Sequence, residues 1–320
     1  MSDTTEPLAT HEPLQHREDV RFRHGDMALA GTLSTPLSDG PHPAIVMIQG
    51  SGAADRDNFG YFPPIREHFV RHGMAVLCFD KPGTGDSSGD WRRQSFQDRA
   101  DEALAAVGFL RSRDDIDPAR IGLWGISQGG WIAPLAAALS RDVAFIIPVS
   151  GPGVSPAEQN MYDIEHNMRA DGLPEEYIAQ GVAYVKALMD AARRKDSYER
   201  VDEDVLRAAR STPWYPYFAM PDAELWGFFL RGNPDYDPAT VLEGVRSPVL
   251  AIFGECDRQL PAGKSAAIFE QALRKGGNPA VTIRVFAHAD HGIKIADLEG
   301  FAPGYLELMT DWIREQIGSA

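Results

Sequence analysis

A serine, an acid and a histidine stand at places in this sequence where hydrolytic chemistry could be assembled. Gly125-Ile126-Ser127-Gln128-Gly129 is a G-x-S-x-G segment. An apolar run, Ile121–Trp124, lies directly before it, and an apolar stretch from about Gly130 to Leu139 directly after it. The first reads as a short buried strand and the second as a helix, so Ser127 falls on a tight strand-to-helix turn. Such a turn lifts a hydroxyl clear of the sheet, and the flanking glycines allow the strained backbone and the close approach of helix to strand. The helix N-terminus beneath it favours a negatively charged oxygen. That place suits a nucleophile. A second match to the pattern, Gly85-Asp86-Ser87-Ser88-Gly89, lacks this context. Ser87 lies several residues past the strand Ala75–Phe79 and leads into the polar segment 90–99, so it reads as a loop residue.

A serine needs a base to take its proton and an acid to orient that base. In an open parallel sheet such groups gather at the carboxyl ends of strands. The run Val249–Phe253 ends in Gly254-Glu255-Cys256-Asp257, which makes Asp257 the expected acid and Glu255 the alternative. The run Thr282–Phe286 ends in Ala287-His288-Ala289-Asp290-His291-Gly292. His291, with the longer loop reach and small neighbours, is the expected base, and His288 competes with it. Turnover should then fall as the histidine takes up a proton near neutrality. An oxyanion hole requires backbone N–H groups. Gln128, after the nucleophile, supplies one. Ser51, in the glycine-rich turn Gln49-Gly50-Ser51-Gly52 after the strand Ala44–Ile48, is the expected second donor. Each is worth roughly 3–4 kcal/mol to the transition state.

The elements that must position these groups alternate as strand and helix. Short continuous apolar runs at Ala44–Ile48, Ala75–Phe79, Ile121–Trp124 and Ala144–Val149 read as strands covered on both faces. Helical patterns over Ile65–His72 and Phe96–Arg113 separate them. An antiparallel pair, Val20–Arg23 and Met27–Thr35, precedes them. The fold class is α/β: a mostly parallel, doubly wound sheet. At Gly151-Pro152-Gly153 the rhythm breaks, and it resumes with Pro248–Phe253, a helix over Ala262–Lys275, the strand Val281–Phe286 and a helix over Tyr305–Ile317. We expect a flexible tail over residues 1–17, a core over 18–152 and 241–320, and an inserted helical cap over 153–240. The insertion carries charged helices, Glu175–Arg194 and Asp202–Arg210, and a cluster of aromatics. Trp214, Tyr217, Phe218 and Trp226 are candidates to line an apolar pocket, or else form the cap's own core.

Composition narrows the partners. The 320 residues are 43% hydrophobic and 24% charged, ordinary for a globular chain, and carry a net charge of −15. The longest basic run is Arg193-Arg194-Lys195, so neither nucleic acid nor an anionic membrane is expected as a partner. Cys78 and Cys256 give no disulfide framework and read as buried free thiols. The polar N-terminus lacks a basic and an apolar signal region, and no apolar run reaches the ~20 residues that span a bilayer, so a cytoplasmic location is expected. His68 and His72 stand at i, i+4 without a third ligand, and His288 and His291 are likewise too few. No metal or organic cofactor is expected.

The stretches IQGSG (48–52), FDKPGTGDSSG (79–89), GLWGISQGG (122–130), PVLAIFGECDRQLP (248–261) and ADHG (289–292) resemble the α/β-hydrolase superfamily. The resemblance runs from about residue 20 to 318. It is strongest to bacterial serine esterases related to the prolyl-oligopeptidase and dienelactone-hydrolase-like branches. The chain order Ser127, Asp257, His291 is that of the superfamily's nucleophile, acid and base. The resemblance implies a carboxylesterase working through an acyl-enzyme on small to medium apolar substrates. A peptidase or thioesterase would use the same triad, whereas a non-catalytic relative would have lost part of it. One departure stands out: the oxyanion loop begins with Gln49, where histidine is usual. Asp55-Arg56-Asp57, just after it, reads as an ion-pair brace or a substrate contact.

Overall fold

The computed structural model describes residues 15–318. Of the tail expected over 1–17, residues 1–14 lie outside the described residues, and His16 and Arg17 already belong to the first strand. The strands are β1 (His16–His24), β2 (Met27–Thr35), β3 (His42–Ile48), β4 (Ala75–Phe79), β5 (Ile116–Ile126), β6 (Phe145–Val149), β7 (Val249–Gly254) and β8 (Val281–Phe286). They form one sheet in the order β1-β2-β4-β3-β5-β6-β7-β8. β1 and β2 form an antiparallel hairpin, β2 pairs antiparallel with β4, and every later pairing is parallel.

The continuous apolar runs become central strands because helices cover both faces. Alternate residues of β3 point to opposite layers: Ala44, Val46 and Ile48 join one core, Ile45 and Met47 the other. The first layer packs under α2 (Phe96–Arg111), α3 (Gly129–Leu139) and α10 (Ala262–Lys275). The second packs under α1 (Phe62–Arg71) and α11 (Tyr305–Ile317). β5 starts at Ile116 rather than Ile121. Its first residue pairs with His42, and the register then shifts before Ile121 meets Ala44, which leaves residues 117–120, with Asp117 and Arg120, outside the apolar run.

Between β6 and β7 the chain is helical: α4 (Pro156–Ala170), α5 (Glu175–Arg194), α6 (Tyr198–Val201), α7 (Arg207–Ala209), α8 (Ala223–Arg231) and α9 (Pro238–Leu242). The stretch expected as a helix over 202–210 is helical and begins earlier: α6 and α7 are joined without a break by a π-helical segment, Asp202–Leu206. The insertion has an apolar core of its own, built on Ile164, Met168, Val185, Leu188, Trp214 and Trp226. Among the described residues no helix is long and apolar enough to cross a membrane. Cys78 is buried as expected, whereas Cys256 is exposed, because it lies in the turn beyond β7 rather than in the strand.

Candidate active site

Ser127 follows β5 directly and has φ 56°, a left-handed backbone that a non-glycine residue adopts only when its surroundings impose it. Its N–H donates to the Val149 carbonyl at 3.0 Å, and its own carbonyl accepts from the Gly130 N–H at 2.8 Å. The turn is therefore tied to β6 on one side and to α3 on the other. The flanking glycines are required by contact: a Cβ on Gly125 would run into the Gly129 carbonyl, and one on Gly129 would come within 2.5 Å of the Ile48 carbonyl. Ser87, by contrast, is a buried brace. Its hydroxyl donates to the Asp80 carbonyl at 2.8 Å and accepts from the Ala30 N–H at 2.9 Å.

Asp257 and His291 come from the turns after β7 and β8. His291 Nδ1 lies 2.7 Å from Asp257 Oδ2. The Asp257 side chain is fully buried, and its other oxygen accepts from the N–H groups of Gln259 at 2.8 Å and Leu260 at 3.2 Å. Both oxygens of the carboxylate are thus engaged, and the imidazole is held by one nitrogen. The second nitrogen, Nε2, is buried and has no hydrogen-bond partner. The His291 carbonyl is pinned by the Ser150 hydroxyl at 2.8 Å, and Ser150 is itself held at φ 44° at the end of β6. The two competing groups lie outside this contact: Glu255 accepts the His288 N–H at 2.9 Å, and the side chains of both are exposed.

Ser127, His291, Ser51 and Gln128 all line one cavity of about 380 Å³. Among the described residues no protein acceptor takes the N–H of Ser51 or of Gln128. Gln49, in the place where histidine is usual, is fully buried. Its side-chain amide donates to the Phe79 carbonyl and, at 3.3 Å, to that of Asp55, so it fastens the loop to the end of β4. Arg56 pairs with the buried Asp80 at 2.6 Å and with Asp19 and Asp86, and Asp57 pairs with Arg66 at 2.8 Å. The 55–57 segment is a brace.

One wall of the cavity is apolar and includes Tyr217, Phe218, Phe228 and Phe229. Trp214 and Trp226, expected there, are not on it. They are 6% and 2% exposed and belong to the insertion's own core. Their indole N–H groups are satisfied inside it, by Gln180 Oε1 at 3.0 Å and the Asp196 carbonyl at 2.9 Å. The physical reason is area: helices that fold as an insertion must bury their largest rings among themselves.

None of the site residues expected from the sequence lies on α4, yet this helix contributes to the cavity lining. Pro156, Gln159, Asn160 and Asp163 of α4 recur at helical spacing and line the cavity, the last three as a polar stripe. Burial pushes the Asp163 carboxyl up to about 6, the nearby His291 and the Asn167 side chain pull the other way, and Asp257 adds to the rise. In the unfolded chain this group ionises in the ordinary carboxylate range, about 4, and in the folded chain only near 6. Folding is therefore penalised above that interval and not below it. Asp163→Asn is expected to stabilise the protein at pH 8 by on the order of 1–2 kcal/mol and to have little effect near pH 4. Thermal melts at the two pH values check this, and an equal shift at both would contradict it.

For metals, Glu255, Cys256 and His288 bring ligand atoms within 4.8 Å of one another at an exposed site. His68 Nε2 meets Thr310 Oγ1 at 2.8 Å, and His72 Nδ1 meets the His68 carbonyl at 2.7 Å.

Comparison with known proteins places these features in a family. The sequence profile of the X-Pro dipeptidyl-peptidase (S15) family matches residues 25–291. The quorum-quenching protein AidA of Acinetobacter baumannii is 35% identical over 130 residues, which is 40% of this chain and 42% of AidA. The esterase EstD of Thermotoga maritima is 27% identical over 267 residues, 82% of this chain and 57% of EstD. The chain thus spans less than two thirds of the length of these relatives. Among solved structures, the Pyrococcus furiosus esterase Pf2001 superposes with a TM-score of 0.68 at 17% identity, over 95% of this chain and 92% of that one. That likeness speaks for the fold. With a profile match that runs from β2 through His291, the chain belongs to the X-Pro dipeptidyl-peptidase (S15) family of the α/β-hydrolase superfamily.

Proposed function

We propose that the protein is a serine hydrolase that cleaves carboxylic esters of small to medium apolar substrates through an acyl-enzyme. The observation that carries the reading is the juxtaposition in one cavity of Ser127, held in a left-handed turn, and His291, whose Nε2 is buried and unpartnered. In this reading Ser127 Oγ attacks the ester carbonyl as His291 Nε2 takes its proton. Asp257 fixes the imidazole and stabilises its charged form. The N–H groups of Ser51 and Gln128 receive the oxyanion, the alcohol departs with the proton from His291, and water repeats the sequence on the acyl-enzyme. Residues 153–240 act as a cap, because α4 and α8 supply two of the cavity walls. No cofactor is assigned. The net charge of −15 supports a small-molecule ester rather than nucleic acid as the partner. The free thiols, one exposed, support the reducing cytoplasm as the setting.

Short p-nitrophenyl esters should give a burst of nitrophenol at high enzyme concentration, followed by steady turnover. The family's name and the carboxylate of Asp163 in the cavity wall favour a second reading, an aminopeptidase-type enzyme with the same triad. A panel of matched ester, thioester and aminoacyl-amide substrates separates the two. We expect the ester to be the best substrate, and an enzyme that hydrolyses only the amide would overturn the first reading.

The cavity wall makes a further prediction. Phe218→Ala is expected to change the ratio of kcat/KM between short and longer acyl esters with little loss of stability, since Phe218 is half-buried and lines the cavity. Trp226→Ala is expected to cost about 3–5 kcal/mol of stability and to leave that ratio unchanged. Kinetics on two chain lengths, together with thermal melts, check both. The reverse pattern would return Trp226 to the pocket.

A further inference from the structure

Three buried ionisable groups have no part in the chemistry above. Lys81, Arg99 and Glu102 are 1%, 5% and 1% exposed, and none lines the cavity. Lys81 follows β4 in the turn that begins with Asp80. Arg99 and Glu102 lie near the start of α2, whose first turn is fixed by a capping box: Ser95 Oγ accepts the Asp98 N–H, and Asp98 Oδ2 accepts the Ser95 N–H at 2.8 Å. Two buried cations are costly, and an apolar pair of the same volume would serve stability as well or better. Burial, with Arg99 beside it, pulls the Lys81 ammonium well below its ordinary range. Burial also pushes the Glu102 carboxyl up to about 7 against the pull of Arg99 and Lys81.

The hydrogen bonds of Lys81 and Arg99 converge on the oxyanion loop. Lys81 Nζ donates to the Gly50 carbonyl and, at 2.6 Å, to that of Gly52. Arg99 donates to the Gly50 carbonyl at 3.3 Å and to the Gln49 carbonyl at 3.2 Å. The same guanidinium donates to Gln128 Oε1 at 2.6 Å, across to the nucleophile turn. A peptide unit is planar and trans, so its C=O and N–H point in opposite directions. The Gly50 carbonyl is the other end of the peptide that carries the Ser51 N–H. Two cations that hold this oxygen on their side turn the N–H to the opposite side, and Ser51 lines the cavity there. A cation on the carbonyl also polarises the peptide and strengthens its N–H as a donor. Gly50 itself is packed against the nucleophile: a Cβ there would meet Ser127 Cβ at 3.3 Å.

We infer that Lys81 and Arg99 are positioning residues, a buried two-cation clamp that joins the oxyanion loop to the nucleophile turn and aims the Ser51 and Gln128 N–H groups at the oxygen of the tetrahedral intermediate. The inference rests on the reading of Ser127 as the nucleophile of an ester hydrolase. Its signature is a loss confined to the transition state. Neither cation touches the substrate, so ground-state binding should be spared while the developing oxyanion loses a well-aimed donor.

The test is Lys81→Met on the full chain, with p-nitrophenyl butyrate as substrate and an alkyl trifluoromethyl ketone as inhibitor, because the ketone's adduct with serine places an oxyanion in the hole. We expect kcat to fall about 30- to 100-fold with KM within about threefold, and ketone affinity to fall by a similar factor. Lys81→Arg, which keeps a donor, should recover part of both. Unchanged kcat and ketone affinity, or a rise in KM with ketone affinity preserved, overturns the clamp. If Lys81→Met does not fold, Arg99→Lys is judged by the same criteria. Wild-type protein that neither hydrolyses esters nor takes up a fluorophosphonate overturns the esterase reading, and the clamp with it. Active, labelled wild type beside an indifferent Lys81→Met removes the clamp alone.

Discussion

Ser127→Ala is expected to lower kcat for p-nitrophenyl esters by about 10⁴- to 10⁶-fold and to abolish covalent labelling by a fluorophosphonate, with the melting temperature held or raised. The rate loss follows from removal of the attacking atom. The stability expectation follows from the turn. At φ 56° the residue is held in a conformation that costs about 1–3 kcal/mol, and alanine bears the same strain without a hydroxyl to desolvate. Ser87→Ala gives the contrast. It removes two buried hydrogen bonds that tie the turn after β4 to β2, so it should cost about 1–3 kcal/mol of stability and leave labelling intact. Mass spectrometry of the labelled peptide reads both outcomes. Labelling of Ser127→Ala, or its loss from a folded Ser87→Ala, would transfer the nucleophile's role to the second G-x-S-x-G segment.

The contrast between these two serines shows what was legible in the sequence. Both sit in the same five-residue pattern, and only the neighbouring elements separate them. Ser127 has a buried strand before it and an apolar helix after it, a context that hydrophobic periodicity reports well. Strand ends marked by glycine or by a run of polar residues were equally readable, which located the turns of Asp257 and His291 after β7 and β8. Helices with strong amphipathic faces, α5, α10 and α11, run over the residues the pattern predicts.

What escaped notice depends on the direction of side chains rather than on period. Trp214 and Tyr217 are three residues apart, yet one fills the insertion's core and the other faces the cavity. Nothing in aromatic content tells them apart. The polar stripe of α4 had a usable signal, since Pro156, Gln159, Asn160 and Asp163 share one helix face just beyond the Gly151-Pro152-Gly153 break. Arg99 carried another. It stands within the apolar stripe that runs through Phe96, Ala100, Ala103, Val107 and Leu110, where a charge must either be paired or serve a purpose. Its partners are backbone carbonyls on a loop some fifty residues away in sequence, and no local pattern encodes those.

Asp257→Asn should lower kcat by about 10³- to 10⁴-fold in a protein that stays folded, whereas Glu255→Gln should change it by no more than about twofold. The two acids stand two residues apart, and their surroundings differ. Asp257 Oδ1 accepts from the N–H groups of Gln259 and Leu260, and Oδ2 faces His291 Nδ1 at 2.7 Å. An asparagine there keeps its oxygen on the two backbone donors, because its amide cannot accept from them. The NH₂ then faces His291, which can only accept through Nδ1. The ring proton moves to Nε2, the nitrogen that must be bare to take the serine's proton, and the stabilising charge is lost with it. Glu255 is more than half exposed, and its bond is to the His288 N–H, outside the His291 contact. Steady-state kinetics near pH 7.5, with circular dichroism to verify folding, decides between them. Loss of activity in Glu255→Gln with Asp257→Asn still active would move the acid's role to Glu255 and require the turn after β7 to rearrange when substrate binds.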